Sequence, residues 1–431
     1  MAIEHQGTAT AADSVTTPLE VAPSTPGSDT TVARVRVLML SWEFPPRSTG
    51  GIAAHVSGLG TALARAGHDV VILTVADRPA ELEAKPPEQV RVQRALVDLP
   101  WLPPSEAVTR IASANHAITK LGSRFVGDLE GWRPDIVHGH DWQLGWAADT
   151  LAHRYAVPFV LTMHGTERVR HGGQLPLGNL NDIKSIEWWL AFQADRMLSQ
   201  TRSIVEQLIT GFELAEDHVV HIPNGIDPEQ WRPANTPSTP TAPRRPLVAS
   251  WGRVQYEKGF QVLTRAMHEL RGRVPDVSSV IAGRGSYLPE LQTQVDVEGV
   301  SDIVELPGFL NDADLRHLVH RAGCVVIPSL YEPFGIVALE ALAAGAPLIV
   351  ARTGGLSELI TGTNAGVTFE PGNPDDLADA IEQVLTNHEL ATILVANARA
   401  LVERKYAWAA IARTTSDLYD DVVAAGPQMT T

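Results

Sequence analysis

The chain has 431 residues, 44% of them hydrophobic, a formal net charge of -16 at pH 7 and a single cysteine. That length indicates two or three domains, and the acidic balance argues against a nucleic-acid grip, which needs a basic face. The lone cysteine, Cys324, excludes a disulfide framework within the chain and reads as a small buried strand residue.

Residues 1–32 are rich in Thr, Ala, Ser, Pro and Asp. They have little to bury and are expected to be disordered. They lack the charged start and apolar core of a signal peptide, and no run of the chain approaches the roughly 18 apolar residues of a membrane span. A reducing, cytoplasmic setting is therefore expected.

From residue 35 the chain alternates strand, glycine-bearing turn and helix. Residues 35–40 read as a buried first strand, followed by the loop Trp42-Glu43-Phe44-Pro45-Pro46. Gly50 and Gly51 then open a helix that Gly67 closes. Further strands are predicted at 70–73, 135–138, 158–163, 196–199 and 219–222. Residues 232–246 carry five prolines and mark a boundary, since proline excludes a helix or central strand. Beyond it the rhythm restarts, with strands predicted at 247–251, 279–282, 303–306, 324–327, 347–350 and 367–369. A helix is predicted at 377–385, and more helix to about residue 424. This is an α/β pattern of two parallel-sheet halves covered by helices. The predicted division is a tail at 1–32, a first domain at 33–231, a proline-rich linker at 232–246, a second domain at 247–405 and a final segment at 406–431. Open parallel sheets bind ligands at the carboxyl ends of their strands, so two such halves place a ligand between them.

Four clusters carry the chemistry. In Tyr331-Glu332-Pro333-Phe334-Gly335-Ile336-Val337-Ala338-Leu339-Glu340, two carboxylates flank the predicted start of a helix. Eight helical residues span about 12 Å, too far for a carboxylate dyad acting on one atom. The spacing suits two hydroxyl-bearing ends of one long ligand, such as the sugar and the ribose of a nucleotide-sugar. The helix start between them offers amides and positive dipole to a diphosphate. Arg253 and Lys258, in Trp251-Gly252-Arg253-Val254-Gln255-Tyr256-Glu257-Lys258-Gly259, follow the first strand of the second half. They read either as ordinary surface cations or as a clamp that neutralises a leaving diphosphate. Gly50-Gly51 allows close backbone approach to a phosphate, and equally a tight turn; the dinucleotide fingerprint G-x-G-x-x-G is absent from this position. His164 ends a predicted strand and faces the cleft. His171 also stands nearby in sequence, and His138-Gly139-His140 with Asp141 offers a conceivable metal set. Nothing else has zinc-ligand spacing, so hydrogen-bonding roles are favoured. No D-x-D metal signature stands at a strand end; Asp375-Asp376 opens a helix. Charge neutralisation is expected from Arg253, Lys258 and helix dipoles, with no metal and no cofactor.

Taken together, Gly50-Gly51, His164, Asn224-Gly225-Ile226-Asp227, Gly252-Arg253, Lys258-Gly259 and the pair Glu332 and Glu340 resemble the GT-B glycosyltransferases of family 4. The resemblance runs over about residues 35–424 and implies the GT-B fold, two Rossmann-like domains facing a cleft. It implies Glu340 as ribose ligand, Glu332 as the acid near the donor sugar, and Arg253 and Lys258 as diphosphate clamp. It places His164 near the anomeric carbon, Gly51 against the phosphates or the acceptor, and the Phe334-Gly335-Ile336 amides and Gly354-Gly355 on the donor. Tyr406 and Trp408 resemble the segment where the last helix crosses back to the first domain. Family members retain anomeric configuration, and the usual proposal lets the leaving phosphate take the acceptor proton.

Narrower matches are Ser41-Trp42-Glu43-Phe44-Pro45-Pro46 and His138-Gly139-His140-Asp141-Trp142, similar to bacterial glycogen and starch synthases. Thr162-Met163-His164-Gly165-Thr166-Glu167 and Ser185-Ile186-Glu187-Trp188-Trp189 resemble actinobacterial α-1,4-glucosyltransferases. The synthases' K-x-G-G-L motif departs here to Ser48-Thr49-Gly50-Gly51-Ile52. Trp42, Trp101, Trp142, Trp188 and Trp189 are either core or sugar-stacking surfaces. The resemblance implies transfer of a glucosyl unit from UDP- or ADP-glucose to a glucan or small glycoside. The alternatives are a mannosyl- or other hexosyltransferase acting on a lipid or small metabolite, a UDP-sugar epimerase, and a nucleotide-sugar-binding protein without turnover. Residues 108–125 are weakly amphipathic, with Arg110, Lys120 and Arg124, and are the stretch to consider for membrane contact.

Overall fold

Short apolar runs bounded by glycine and proline favour buried parallel strands. In the computed structural model they form two parallel sheets. The described residues are 34–47, 51–97, 99, 101, 106–124, 131–167, 180–232 and 245–427. The tail at 1–32, Gly50, His171 and positions 233–244 of the proline-rich segment lie outside them.

The first sheet contains β1 (Arg36–Ser41), β2 (Asp69–Ala76), β3 (Arg91–Leu96), β4 (Ile136–His140), β5 (Phe159–Thr162), β6 (Arg196–Ser199) and β7 (Val219–His221), in the order β3-β2-β1-β4-β5-β6-β7. The second contains β8 (Leu247–Trp251), β9 (Ser278–Ala282), β10 (Val304–Gly308), β11 (Cys324–Ile327), β12 (Leu348–Ala351) and β13 (Val367–Phe369), in the order β10-β9-β8-β11-β12-β13. Every ladder is parallel. The strand order reverses between β1 and β4 and again between β8 and β11. These reversals are the switch points at which such sheets open a crevice.

Side chains alternate between the two faces of each strand. Leu38, Leu40, Val71 and Leu73 enter one core, while Val37, Met39, Val70 and Ile72 enter the other. Cys324 is buried within β11, as the apolar run around it predicts. The strand that periodicity overlooked is β3. It is an edge strand with no fully buried residue, and its Arg91, Gln93 and Arg94 hide the pattern. The amphipathic stretch near residue 110 forms the helix Ala107–Ser123. Its Ile111, Ala114 and Ile118 are buried in the first domain's core, so its apolar stripe is spent on the sheet. Among the described residues no helix is long and apolar enough to cross a membrane. Of the tryptophans, Trp142 is buried and Trp189 packs on the core, whereas Trp101 and Trp188 are exposed.

The end of the chain ties itself to the first half. After a wide π-type turn at Val402–Tyr406, the helix Trp408–Ala425 packs along the helix Gly51–Arg65. The crossing is pinned by Ile226 N–H donating to Tyr406 O (2.8 Å) and Trp408 N–H donating to Ile226 O (3.1 Å). The Trp408 indole covers Gly58 and Gly225, and a Cβ on either glycine would collide with it. A carboxylate also joins the halves. Glu358, on the helix Gly354–Ile360 of the second half, accepts from the amides of Arg202 and Ser203 (2.8 Å each). Those amides open the helix Arg202–Phe212 of the first half, so one domain caps a helix of the other.

Gly225→Ala is expected to destabilise the fold by about 1–3 kcal/mol, the usual cost of overpacking. Urea unfolding measures this, and an unchanged stability would show that the indole does not need the bare backbone. Glu358→Ala is expected to weaken the contact between halves by about 1 kcal/mol. Amide exchange at Arg202 and Ser203 should then rise about fivefold.

Candidate active site

The carboxyl ends of β1, β5, β8 and β11 border a cleft of about 580 Å³ between the two halves. From the first half it is lined by Glu43, Gly51, His164, Gln200 and Asn224. From the second it is lined by Trp251, Arg253, Lys258, Ser329, Glu332, Phe334, Gly335, Ile336 and Glu340. Of the candidates of the sequence analysis, Gly51, His164, Arg253, Lys258, Glu332, Phe334, Gly335, Ile336 and Glu340 stand in this one cleft, whereas His138, His140, Asp141, Gly354 and Gly355 do not line it. Gly51 lies so close to Ile336 that a Cβ would press on its Cδ1, which sets how near the halves approach.

The helix Ile336–Ala343 begins inside the cleft. Its N-cap, Gly335, has φ +93°, and a Cβ there would also meet Leu356, so glycine is required twice over. No side chain caps this helix end among the described residues. The first amides of a helix have no acceptor within it, and they point here into the cleft as an anion site. Gly354 and Gly355, which the resemblance implies on the donor, pack against the loop that carries Glu332. The Gly355 amide donates to the Glu332 carbonyl at 3.1 Å. A Cβ at Gly355 would run into the backbone of Pro333 and Phe334. The pair lets a helix approach the loop at 332–335; it supports the anion site from behind.

Two cations enter from the loop after β8. Lys258 Nζ pairs with Glu332 Oε2 at 2.7 Å, both side chains largely buried. Ser329 Oγ donates to the same carboxylate oxygen at 3.4 Å. The placement depends on Gly259, at φ +70°, whose missing Cβ leaves room for the Pro328 carbonyl. Arg253 is exposed to the cleft, and among the described residues its guanidinium has no side-chain partner. The site therefore holds one charge already balanced and one unbalanced.

Glu340 differs from both. Its carboxylate is half-buried within the helix and accepts from Trp251 Nε1–H at 3.0 Å. Burial raises its pKa to about 7, the Trp251 bond opposes this, and the charge of Asp312 adds to it. The sequence offered no sign of the Trp251 contact, which joins residues 89 positions apart.

The first half contributes a column of imidazoles. The amide of His164 donates to Asp141 Oδ1 (2.7 Å), which fixes its loop. His140 Nδ1 lies 3.4 Å from His164 Nε2. His138 packs against His140 with ring centroids 4.3 Å apart, and its two nitrogens bond to the Tyr419 hydroxyl (2.6 Å) and Thr162 Oγ1 (2.7 Å). The hydrogen-bonding role expected of His138 is met. His55 joins this column from the helix Gly51–Arg65, its Nδ1 bonded to Asn224 Oδ1. Burial lowers the pKa of His55 to about 4 and that of His138 to about 3, and holds His140 well below its usual value. These three are neutral at pH 7. No sequence signal marked His55, because its partners lie at 140, 164 and 224.

Two facing parallel sheets, with cations and an uncapped helix start between them, define the GT-B class of glycosyltransferase. Comparison with known proteins agrees. Residues 49–230 match "Glycosyltransferase Family 4" and residues 232–401 match "Glycosyl transferases group 1". The glycogen synthase of Mycobacterium tuberculosis is 34% identical over 398 residues, covering 89% of this chain and 94% of that one. Sucrose-phosphate synthase from Thermosynechococcus elongatus superposes with a TM-score of 0.75 at 23% identity, over 91% of this chain and 100% of that chain. The catalytic domain of starch synthase IV from Arabidopsis thaliana, solved with ADP and acarbose, gives 0.70 at 18%, over 91% and 100%. The chain belongs to the family 4 (group 1) glycosyltransferases; the two solved structures speak for the fold.

The raised value of Glu340 makes a prediction about stability. In the unfolded chain the carboxyl ionises in its ordinary range, and in the folded protein only near pH 7. Between the two values the folded state holds the extra proton, so this group's contribution to stability declines as pH rises through 7. Glu340→Gln keeps an acceptor for Trp251 and abolishes the ionisation. Between pH 5 and pH 8 the variant should gain on the order of 2 kcal/mol relative to wild type. Parallel urea curves for the two proteins would refute the enclosure of Glu340.

Proposed function

We propose that the protein transfers a glucosyl unit from a nucleotide-glucose, UDP- or ADP-glucose, to a glucan or small glycoside acceptor, with retention of configuration and without a catalytic metal. The observation that carries the proposal is the meeting of Arg253, Lys258, Glu332, Glu340, His164 and the open end of the helix Ile336–Ala343 in one cleft. The glucosyl assignment is supported by the 34% likeness to a glycogen synthase along nearly the whole chain.

In this reading the diphosphate lies across the amides at Gly335 and Ile336. Arg253 supplies two parallel donors to it, and Lys258 a compact charge. As the glycosidic bond to phosphate breaks, negative charge grows on the leaving oxygen, and fixed cations stabilise that state more than the ground state. Glu332 turns Lys258 toward the cleft and offers its remaining oxygen to sugar hydroxyls. Glu340, deprotonated above pH 7, accepts from the ribose hydroxyls. His164, just after β5, faces the sugar from the other half. The leaving phosphate oxygen takes the acceptor's proton on the face it has just left, which retains the configuration and needs no enzymic nucleophile.

The test is a panel of UDP-, ADP- and GDP-sugars offered with maltooligosaccharides, glucose 1-phosphate and simple polyols, each with and without EDTA. Glucosyl transfer that survives chelation is expected. Arg253→Ala and Lys258→Ala should each lower kcat about 10²–10³-fold, or about 3–4 kcal/mol, as for other electrostatic donors removed from a transition state. Turnover near wild type in both would end the clamp assignment. Loss of activity on chelation would end the metal-free mechanism.

A further inference from the structure

His55, His140 and His164 each turn one ring nitrogen toward the same place, and the three nitrogens lie within 4.8 Å of one another. They arrive from three separate elements: the helix Gly51–Arg65, the end of β4 and the loop after β5. His55 and His140 are almost wholly buried, and the Nε2 atom of each has no hydrogen-bond partner. The unsatisfied buried Nε2 of His55 beside two further imidazoles is costly unless something occupies the space between them, and His140 turns its Nδ1, not its Nε2, toward His164.

We propose that these three side chains form a binding site for a borderline transition-metal cation such as Zn²⁺, and that its occupancy draws His164 away from the cleft. The chemistry of the donor set favours this. Neutral imidazoles suit Zn²⁺, Co²⁺, Ni²⁺ and Cu²⁺ and are poor ligands for Mg²⁺ or Ca²⁺. Three histidines with a fourth position left to water are a known zinc arrangement. Two tetrahedral zinc ligands stand about 3.3 Å apart, and His140 Nδ1 and His164 Nε2 are already 3.4 Å apart. The widest pair must close by roughly 1.5 Å to complete the triangle.

The surroundings prepare the lone pairs. His55 donates Nδ1–H to the Asn224 amide oxygen, which leaves Nε2 as the bare nitrogen, the usual outer support of a metal-bound histidine. His138, held by Tyr419 and Thr162, is saturated and outside the set. Ions reach the site through the cleft that His164 lines and through the adjoining cavity that His55 lines. The effect on donor binding rests on the function proposed above; the metal site itself does not.

The experiment is titration of metal-free wild-type protein with Co²⁺ and Zn²⁺. One equivalent of Co²⁺ should bind and give the strong visible absorption of a tetrahedral site, and Zn²⁺ should displace it. X-ray absorption on the Zn²⁺ complex should count three imidazole nitrogens at about 2.0–2.1 Å. His140→Ala and His55→Ala should each weaken binding at least 100-fold. Because these residues are buried, the wild-type spectrum and ligand count carry the test if a variant does not fold. Zn²⁺ should raise the donor KM at least tenfold, and EDTA should restore it. No stoichiometric binding, fewer than three imidazoles, or undiminished binding in folded variants overturns the site. Stoichiometric zinc that leaves the donor KM unchanged overturns the withdrawal of His164. Absence of glycosyl transfer in any assay would sink the function proposed above, while the spectrum would still decide the metal site.

Discussion

Parallel strands put all their carboxyl ends on one edge of a sheet, and the site exists because two such edges face each other. Neither edge is complete alone. The first half brings His164 and the backbone at Gly51; the second brings Arg253, Lys258, Glu332, Glu340 and the open start of a helix. The distance between them is held by contacts that tolerate no extra atoms. Gly51 faces Ile336, and the indole of Trp408 rests on the bare backbone at Gly58 and Gly225. The carboxylate of Glu358 adds a charged tie by closing the end of a helix in the opposite half. Catalysis by positioned cations depends on such closeness, since the attraction between charges falls with separation and with the water left between them.

The charges in the cleft are arranged in a chain whose overall sign is wrong for anion binding. With a net charge of -16, the protein as a whole repels a nucleotide diphosphate. Local placement reverses this. Glu332 is balanced by Lys258, and Glu340 sits where burial keeps it partly protonated at neutral pH. Arg253 and the start of the helix Ile336–Ala343 stand in the cleft with no side chain balancing or capping them among the described residues. The buried His55 and His140 are neutral, so these two add hydrogen-bonding groups without adding charge.

The last helix does more than close the fold. Tyr419 holds His138, His138 packs on His140, and His140 touches His164 at the cleft. Trp408, from the start of the same helix, lies edge-on to His55. A segment far from the strands in sequence thus sets the orientation of the imidazoles. The Nε2 of His55 is left unsatisfied beside the other two imidazoles, which is the feature that calls for an occupant.

The sequence by itself determined the fold class and singled out Arg253, Lys258, Glu332, Glu340 and His164 among the polar residues in the cleft. Buried strands such as those at 196–199, 247–251 and 324–327 stand out because parallel sheets are apolar on both faces. Arg253, Lys258, Glu332 and Glu340 were legible because loops after strands and helix starts carry function at fixed offsets. The edge strand β3 was not, since an exposed edge needs no apolar run. Only the tertiary structure decided the pairings: Glu340 with Trp251, His55 with Asn224, Glu358 with a foreign helix end, and Gly355 with the Glu332 carbonyl. These contacts join positions 23 to 169 residues apart. Local periodicity reports which face of an element is buried, and carries no information about which distant side chain will meet it there.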